Sequence, residues 1–357
     1  MSEAFQLAID PYILCLPNPC NSLEEIESFV DTLLGWSSTL QQKNSNILIS
    51  DAARIALLED GEYPHQHRLR DLMRIHKCEV ADPETVGRLT QSLLDRTPSL
   101  EAFYGVNSIL IDPAKSSIMP DAFFKRLKDN TRNALIEMLV IVSAEQNADC
   151  SHIEKHIFLA TSDDLIDKDN DLTEIECVSE LHDWQWLTEP LHDLPTMPAT
   201  IEGKLPLVFS HYSFLHQLGI WHVWNNASDE QAAIDAINLC IEEIVNTGAT
   251  GISKINFRLG TYFLESVRAQ SFGSRSDYAR VLIESCARIT LDIPKNPVKP
   301  FRESANSMRQ KRRHDGALAF RTHLTKKGVG FRLMLWKLSD GTIEFANVGC
   351  KGELVIL

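Results

Sequence analysis

The chain contains no apolar run near the ~20 residues that a membrane-spanning helix needs, so a helical integral membrane protein is excluded. It has no CxxC pair. The eight cysteines, Cys15, Cys20, Cys78, Cys150, Cys177, Cys240, Cys286 and Cys350, are scattered, which argues against a disulfide framework and for free, small apolar side chains in a reducing compartment. There is no GxxxxGK(S/T) phosphate loop, no GxGxxG dinucleotide fingerprint and no GxSxG nucleophile elbow. These absences remove the commonest signatures of nucleotide hydrolysis, dinucleotide redox chemistry and serine-based hydrolysis. The opening, MSEAFQLAID, lacks the basic stretch and apolar core of a secretion signal, so the expected location is cytoplasmic. No internal repeat or low-complexity segment stands out.

What is present is a charge split. Residues 294–357 hold 13 Lys/Arg against 5 Asp/Glu, while residues 1–293 hold 22 against 44, within a net charge of −14. A basic face attracts phosphates and an acidic body repels them, so the last segment is where a polyanion would be held. At 357 residues, 44% hydrophobic and 24% charged, the chain is long and apolar enough to form two or three globular domains.

Periodicity divides the chain into three segments. Residues 1–175 read as an α/β domain: strand-like runs at Phe5–Leu16 (interrupted by Asp10 and Pro11), Asn46–Ser50 and His156–Thr161 alternate with helical patterns. Ser22 and Glu25 have capping-box spacing at the start of the first helix. Further helices are expected at Asp51–Leu58 and at about 66–76, 84–96 and 120–146. Residues 176–293 read as a mixed, mainly helical region. It opens with a loop-rich boundary at 176–204 and has helices at 229–246 and 276–290. Pro294, Pro297 and Pro300 punctuate a linker into residues 294–357, a small basic antiparallel β domain of α+β type. There a helix is expected at 302–313 and strands at Ala317–Leu324, Phe331–Leu338 and Thr342–Val348, with a short fourth run at Glu353–Leu357.

Strand alternation places Arg321 and His323 on one face of the first C-terminal strand, and Arg332, Met334 and Trp336 on one face of the next. Lys351 follows the third strand and Lys326 and Lys327 occupy the connecting turn. Arginine clamps phosphate oxygens, and histidine moves a proton near neutral pH. Arg309, Lys311, Arg312, Arg313, Lys326 and Lys327 are the expected nucleic-acid contacts.

The run GFRLMLWKLSDGTIEFANVGCK resembles the sheet of RelE/ParE-type bacterial toxins. Phe331-Arg332-Leu333 matches their aromatic-Arg-Leu strand, and Val348-Gly349, followed by Cys350 and Lys351, matches their Val-Gly-Lys strand end. RelE-like members cleave ribosome-bound messenger RNA without metal through clustered basic residues, and ParE-like members act on DNA gyrase. The resemblance covers about 40 of 357 residues and implies catalytic positions at Arg321, His323, Arg332 and Lys351. It implies a bacterial toxin-like or antiviral-defence effector that engages RNA or DNA, with nuclease activity as the expected chemistry. The alternative is a non-enzymatic adaptor in a multiprotein defence complex, docking its basic tail on an acidic protein surface.

A second constellation is acidic. Asp10 ends the first strand, and Asp163 and Asp164 follow the third. Strand-end carboxylates hold Mg²⁺ or Mn²⁺, and this order, with a helical Glu59, resembles PIN-type metal-dependent nucleases. The ordinary role of such residues is to cap turns and helices. Asp167, Asp169 and Asp171 begin a calcium-loop pattern, but Leu172 occupies the required glycine position, which rejects an EF-hand. Two His/Cys groupings, His65/His67/His76/Cys78 and Cys150/His152/His156, lack the spacing of structural zinc sites.

Overall fold

In the computed structural model the described residues are 5–36, 39, 46–147, 156–162, 173–187, 189, 193–227, 229–270, 276–304, 307–325, 330–353 and 355–357. They form two compact units, 1–214 and 215–357, where composition suggested three segments. The first unit carries 16 Lys/Arg against 35 Asp/Glu and the second 19 against 14. Among the described residues no helix is long and apolar enough to cross a membrane.

The first unit is a mixed sheet with helices. Its strands are β1 (Phe5–Ile9), β2 (Asn46–Leu48), β3 (Val106–Met119), β4 (His156–Ala160), β5 (Glu174–Trp186) and β6 (Ala199–Val208), in the order β2-β1-β4-β6-β5-β3. The first three pairings are parallel and the last two antiparallel. The helices are α1 (Leu23–Gly35), α2 (Asp51–Glu59), α3 (Gln66–Ile75), α4 (Pro83–Arg96), α5 (Leu100–Phe103), α6 (Ala122–Lys125) and α7 (Asp129–Asn147). The inner strands are near-continuously apolar, as strands covered on both faces must be. Ala8, Leu159 and Leu205 pack with Leu135, Met138, Leu139 and Val142 of α7, while their neighbours Leu7 and Ala160 are buried as well.

Residues 176–204, expected as a loop-rich boundary, instead carry most of β5 and the start of β6. Burial along β5 alternates at Ile175, Cys177, Ser179 and Leu181, but two of these inward residues are Cys and Ser, which blunts the hydrophobic alternation a strand ordinarily displays. Helix α1 begins at the expected cap: Ser22 Oγ accepts from Glu25 N at 3.2 Å, and Glu25 accepts in return from Asn21 N at 2.6 Å.

The second unit is a sheet ordered β7-β11-β10-β9-β8, from β7 (Phe257–Leu259), β8 (Lys299–Pro300), β9 (Leu318–His323), β10 (Phe331–Lys337) and β11 (Ile343–Cys350). The pairings are antiparallel except that β7 runs parallel to β11. The remaining helices are α8 (His211–Asn225, kinked at Gly219, φ 76°), α9 (Glu230–Asn246), α10 (Phe263–Ala269) and α11 (Ser276–Thr290). One core joins the helices to one sheet face: Ile237, Phe263 and Ile283 pack with Leu333, Leu335 and Phe345.

The helix expected at 302–313 does not form. Met308 is the one large apolar residue in that stretch and is 83% exposed, so a helix there would have no face to bury. Its described residues are irregular instead: Arg302 bridges back to Gln310, and Arg312 bridges to Leu318 at the start of β9. Phe301 N donates to Ala319 O at 2.9 Å, Lys311 N to Phe301 O at 2.8 Å and Arg313 N to Ala317 O at 3.0 Å. The run Glu353–Leu357 is not a strand among its described residues. The Asn347 carboxamide holds it, accepting from Leu357 N at 3.1 Å and donating to Val355 O at 3.4 Å.

Candidate functional site

The register of the second sheet fixes which side chains share a face. His323 lies opposite Arg332, Arg321 opposite Met334, and Ala319 opposite Trp336. All six therefore point to the face away from the helical core. A small apolar cluster floors that face: Phe301, Ala317, Ala319, Met334, Trp336, Ala346 and Ile356.

Arg321 lies over the Phe301 ring, its guanidinium carbon 5.5 Å from the ring centre. Burial, then the positive charges of Arg332 and Arg302, lower its affinity for its proton below the ordinary arginine value. No carboxylate pairs with Arg321, Arg332 or Arg302 among the described residues. Arg332 Nη1 donates to the Lys351 carbonyl at 2.8 Å, which ties the exposed Lys351 to the cluster through its backbone, while the buried Nε has no partner among the described residues. The His323 carbonyl accepts from Asn296 Nδ2 at 2.8 Å.

The other expected contacts divide. Arg309 and Arg312 are exposed and Lys311 is half-buried. Arg313 is committed to the fold: it donates to Asp315 at 2.7 Å and pairs with Glu344, which also holds Arg258. Arg313 thus sits above the usual arginine range and Asp315 at about 2. Burial pushes Glu344 upward, but the hydrogen bonds from Arg313 and Arg258 outweigh it and hold its carboxyl low. Lys326, Lys327, Asp163, Asp164, Asp167, Asp169, Asp171, Cys150 and His152 lie outside the described residues.

Asp10 is fully buried and its acceptors are engaged. Oδ1 accepts from Tyr12 N at 3.0 Å, while Oδ2 accepts from Thr161 Oγ1 at 2.6 Å and from Arg126 Nη2. A guanidinium therefore occupies the cation position beside this carboxylate. A group not foreseen in the sequence is Asp112, Glu180 and His182, whose ligand atoms lie within 4.8 Å of one another and can hold a metal ion. Asp112 and Glu180 are cross-strand partners on β3 and β5. Lys115 Nζ already lies 2.8 Å from Glu180 Oε1, and His182 Nε2 lies 3.1 Å from the same atom. The alternation within 174–186 was the signal that could have brought these residues together.

The chain matches no protein-family model, no curated protein and no solved structure.

Proposed function

We propose that the second unit binds a nucleic-acid backbone on the sheet face carrying Arg321, Arg332 and Arg302, and that the protein is a nucleic-acid-engaging effector of the toxin-like or defence kind. The observation that carries this reading is the placement of Arg321 and Arg332 on one face, with Arg302 near enough to repel Arg321 and no carboxylate paired with any of the three among the described residues. Such a cluster is unfavourable until an anion joins it, and a phosphodiester supplies one at each step of the strand. Phe301, Met334 and Trp336 are buried beneath this face and hold the sheet that presents the arginines. His323, directly across from Arg332, is the group for proton transfer if the bound strand is cut, with Arg321, Arg332 and Lys351 stabilising charge on phosphorus. This is the role that the RelE-like resemblance assigns to them.

The test is fluorescence anisotropy of labelled RNA and DNA with the full chain, across a salt series, for wild type and Arg321→Gln/Arg332→Gln. Expected is binding that weakens steeply with salt and a shallower salt slope in the double variant. Cleavage is followed in the same samples with Mg²⁺ or Mn²⁺ and with EDTA. Cleavage that survives EDTA and falls in His323→Ala supports the basic face as the catalyst. Cleavage that needs metal moves the chemistry to the acidic groups of the first unit. No binding at low salt, with capture of an acidic protein partner instead, replaces this reading with the adaptor.

A further inference from the structure

The helical layer of the second unit holds a pocket of about 340 Å³, within the ~300–1,000 Å³ of small-molecule sites. It opens between α8, α9 and α11, which pack on the sheet face opposite to the one that carries Arg321 and Arg332. Its floor is apolar: Ile220, Ile244 and Ile283 line it with the buried Cys240. Trp221 forms one wall and is 38% exposed. The kink at Gly219 turns α8 immediately before Ile220 and Trp221, so a bend rather than a regular helix sets where these two side chains point. Aromatic surface above an apolar floor selects a flat, apolar ligand body.

The charged groups of the lining divide into those already matched and those left over. Burial raises the Glu284 carboxyl, yet Arg288 and Lys295 outweigh it and hold it below its ordinary value. Arg288 Nε donates to Glu284 at 2.8 Å, and Lys295 Nζ lies 3.5 Å from the other oxygen. Arg280 and Glu243 also line the pocket, and both are exposed, which puts them at its mouth. Neither side chain has a hydrogen-bond or ion-pair partner among the described residues. The mouth of an apolar recess thus carries one unmatched cation and one unmatched anion. Cys240 adds no covalent chemistry. Burial, with the charges of Glu243 and Glu284, pushes its thiol up to about 12, so it stays protonated.

We infer that this pocket binds an aromatic zwitterion of the amino-acid type, with the ring against Trp221 and the isoleucine floor, the carboxylate on Arg280 and the ammonium on Glu243. A ligand of a single charge would leave one of the two groups at the mouth unmatched, and a zwitterion without a ring would leave the floor uncovered. The site lies on the helical side of the sheet, so it is independent of the nucleic-acid reading.

The test is isothermal titration of the full chain with L-phenylalanine and L-tryptophan. Each is run beside its decarboxylated amine (phenethylamine, tryptamine) and its deaminated acid (3-phenylpropionate, indole-3-propionate), with glycine as the zwitterion that has no ring. Expected is saturable binding of at least one amino acid, at least about ten-fold tighter than its own amine, its own acid and glycine, the loss that one charge-assisted contact represents. Arg280→Gln should weaken the amino acid to the level of its amine and leave the amine unchanged, and Glu243→Gln should do the same with respect to the acid. Both side chains are exposed and unpaired, so melting should not move in either variant. No saturable binding of either amino acid, an amine, acid or glycine binding as tightly as the amino acid, or Arg280→Gln weakening the amine as much as the amino acid would each overturn the inference.

Discussion

Glu137 should make the first unit less stable as the solution becomes more alkaline, against the usual trend for carboxylates. It lies on α7 between the buried Ile136 and Met138. Burial, with a smaller contribution from the charge of Glu101, lifts its carboxyl to about 7 from an ordinary value of 4.5. Glu101 is held in place: it accepts from Ser50 Oγ at 2.6 Å, Asp51 N at 2.7 Å, Ala52 N at 3.2 Å and Ser99 Oγ at 2.9 Å, closing the N-terminus of α2. The folded chain thus keeps a proton on Glu137 that the unfolded chain releases near pH 4.5. Stability from this group is complete below 4.5, declines as pH rises, and is gone above about 7. The shift corresponds to about 3 kcal/mol at most, and partial solvent access reduces this to about 2 kcal/mol. Glu137→Gln keeps the shape and removes the titration. Urea denaturation of wild type and variant should show the variant more stable by about 2 kcal/mol at pH 8.5 and equal at pH 4.5. A gain of equal size at both pH values, or none at pH 8.5, would refute the reasoning.

Three other perturbations test separate parts of the structure. Glu344→Gln leaves Arg313 and Arg258 facing a neutral group in a site where the Glu344 side chain is 8% exposed, and should cost about 2–3 kcal/mol by denaturation; a cost below about 0.5 kcal/mol, the size of an exposed pair, refutes the network. Arg321→Met removes a charge crowded by Arg332 and Arg302 and should leave melting unchanged or higher while weakening RNA binding, so lower melting together with undiminished binding would contradict the interface. Gly203→Ala would place a methyl 1.9 Å from Ser143 Oγ and 2.3 Å from its Cβ, where β6 meets α7, and should cost about 1–3 kcal/mol. Adding Ser143→Gly should restore part of that loss, and a Gly203→Ala chain as stable as wild type would show that the two elements can move apart.

Helices were legible wherever an apolar stripe coincided with a cap. Asp229 accepts from Ala232 N at 3.0 Å at the start of α9, and α4 has a buried stripe that begins at the Asp82 cap. Strands were legible where alternation was strong, as in β9, β10 and β11. They were hidden where inward positions carry Cys177 and Ser179, or where Gly203 substitutes close approach for side-chain volume. In the 302–313 stretch, a dense run of basic residues resembled a helix face, but basic residues alone give a helix nothing to pack.

The candidate site divides along the same line. Arg321, His323 and Arg332 could be grouped from local alternation because two adjacent strands carry them. Arg302 could not, since it reaches Arg321 only once 301–313 pairs with the sheet edge, a tertiary event without local periodicity. Arg313 reads in sequence as one more cation in a basic run. Only the 31-residue separation that closes onto Glu344 turns it from a ligand contact into part of the fold. Asp10 and Arg126, 116 residues apart, are the extreme case. Asp10 alone looks like a metal ligand, and Arg126 alone like a surface charge on a helical stretch. Brought together at the carboxyl end of β1, they give the buried Asp10 carboxylate a cation from the protein itself. The partner of the Asp10 carboxylate therefore depends on a pairing that local sequence patterns do not encode.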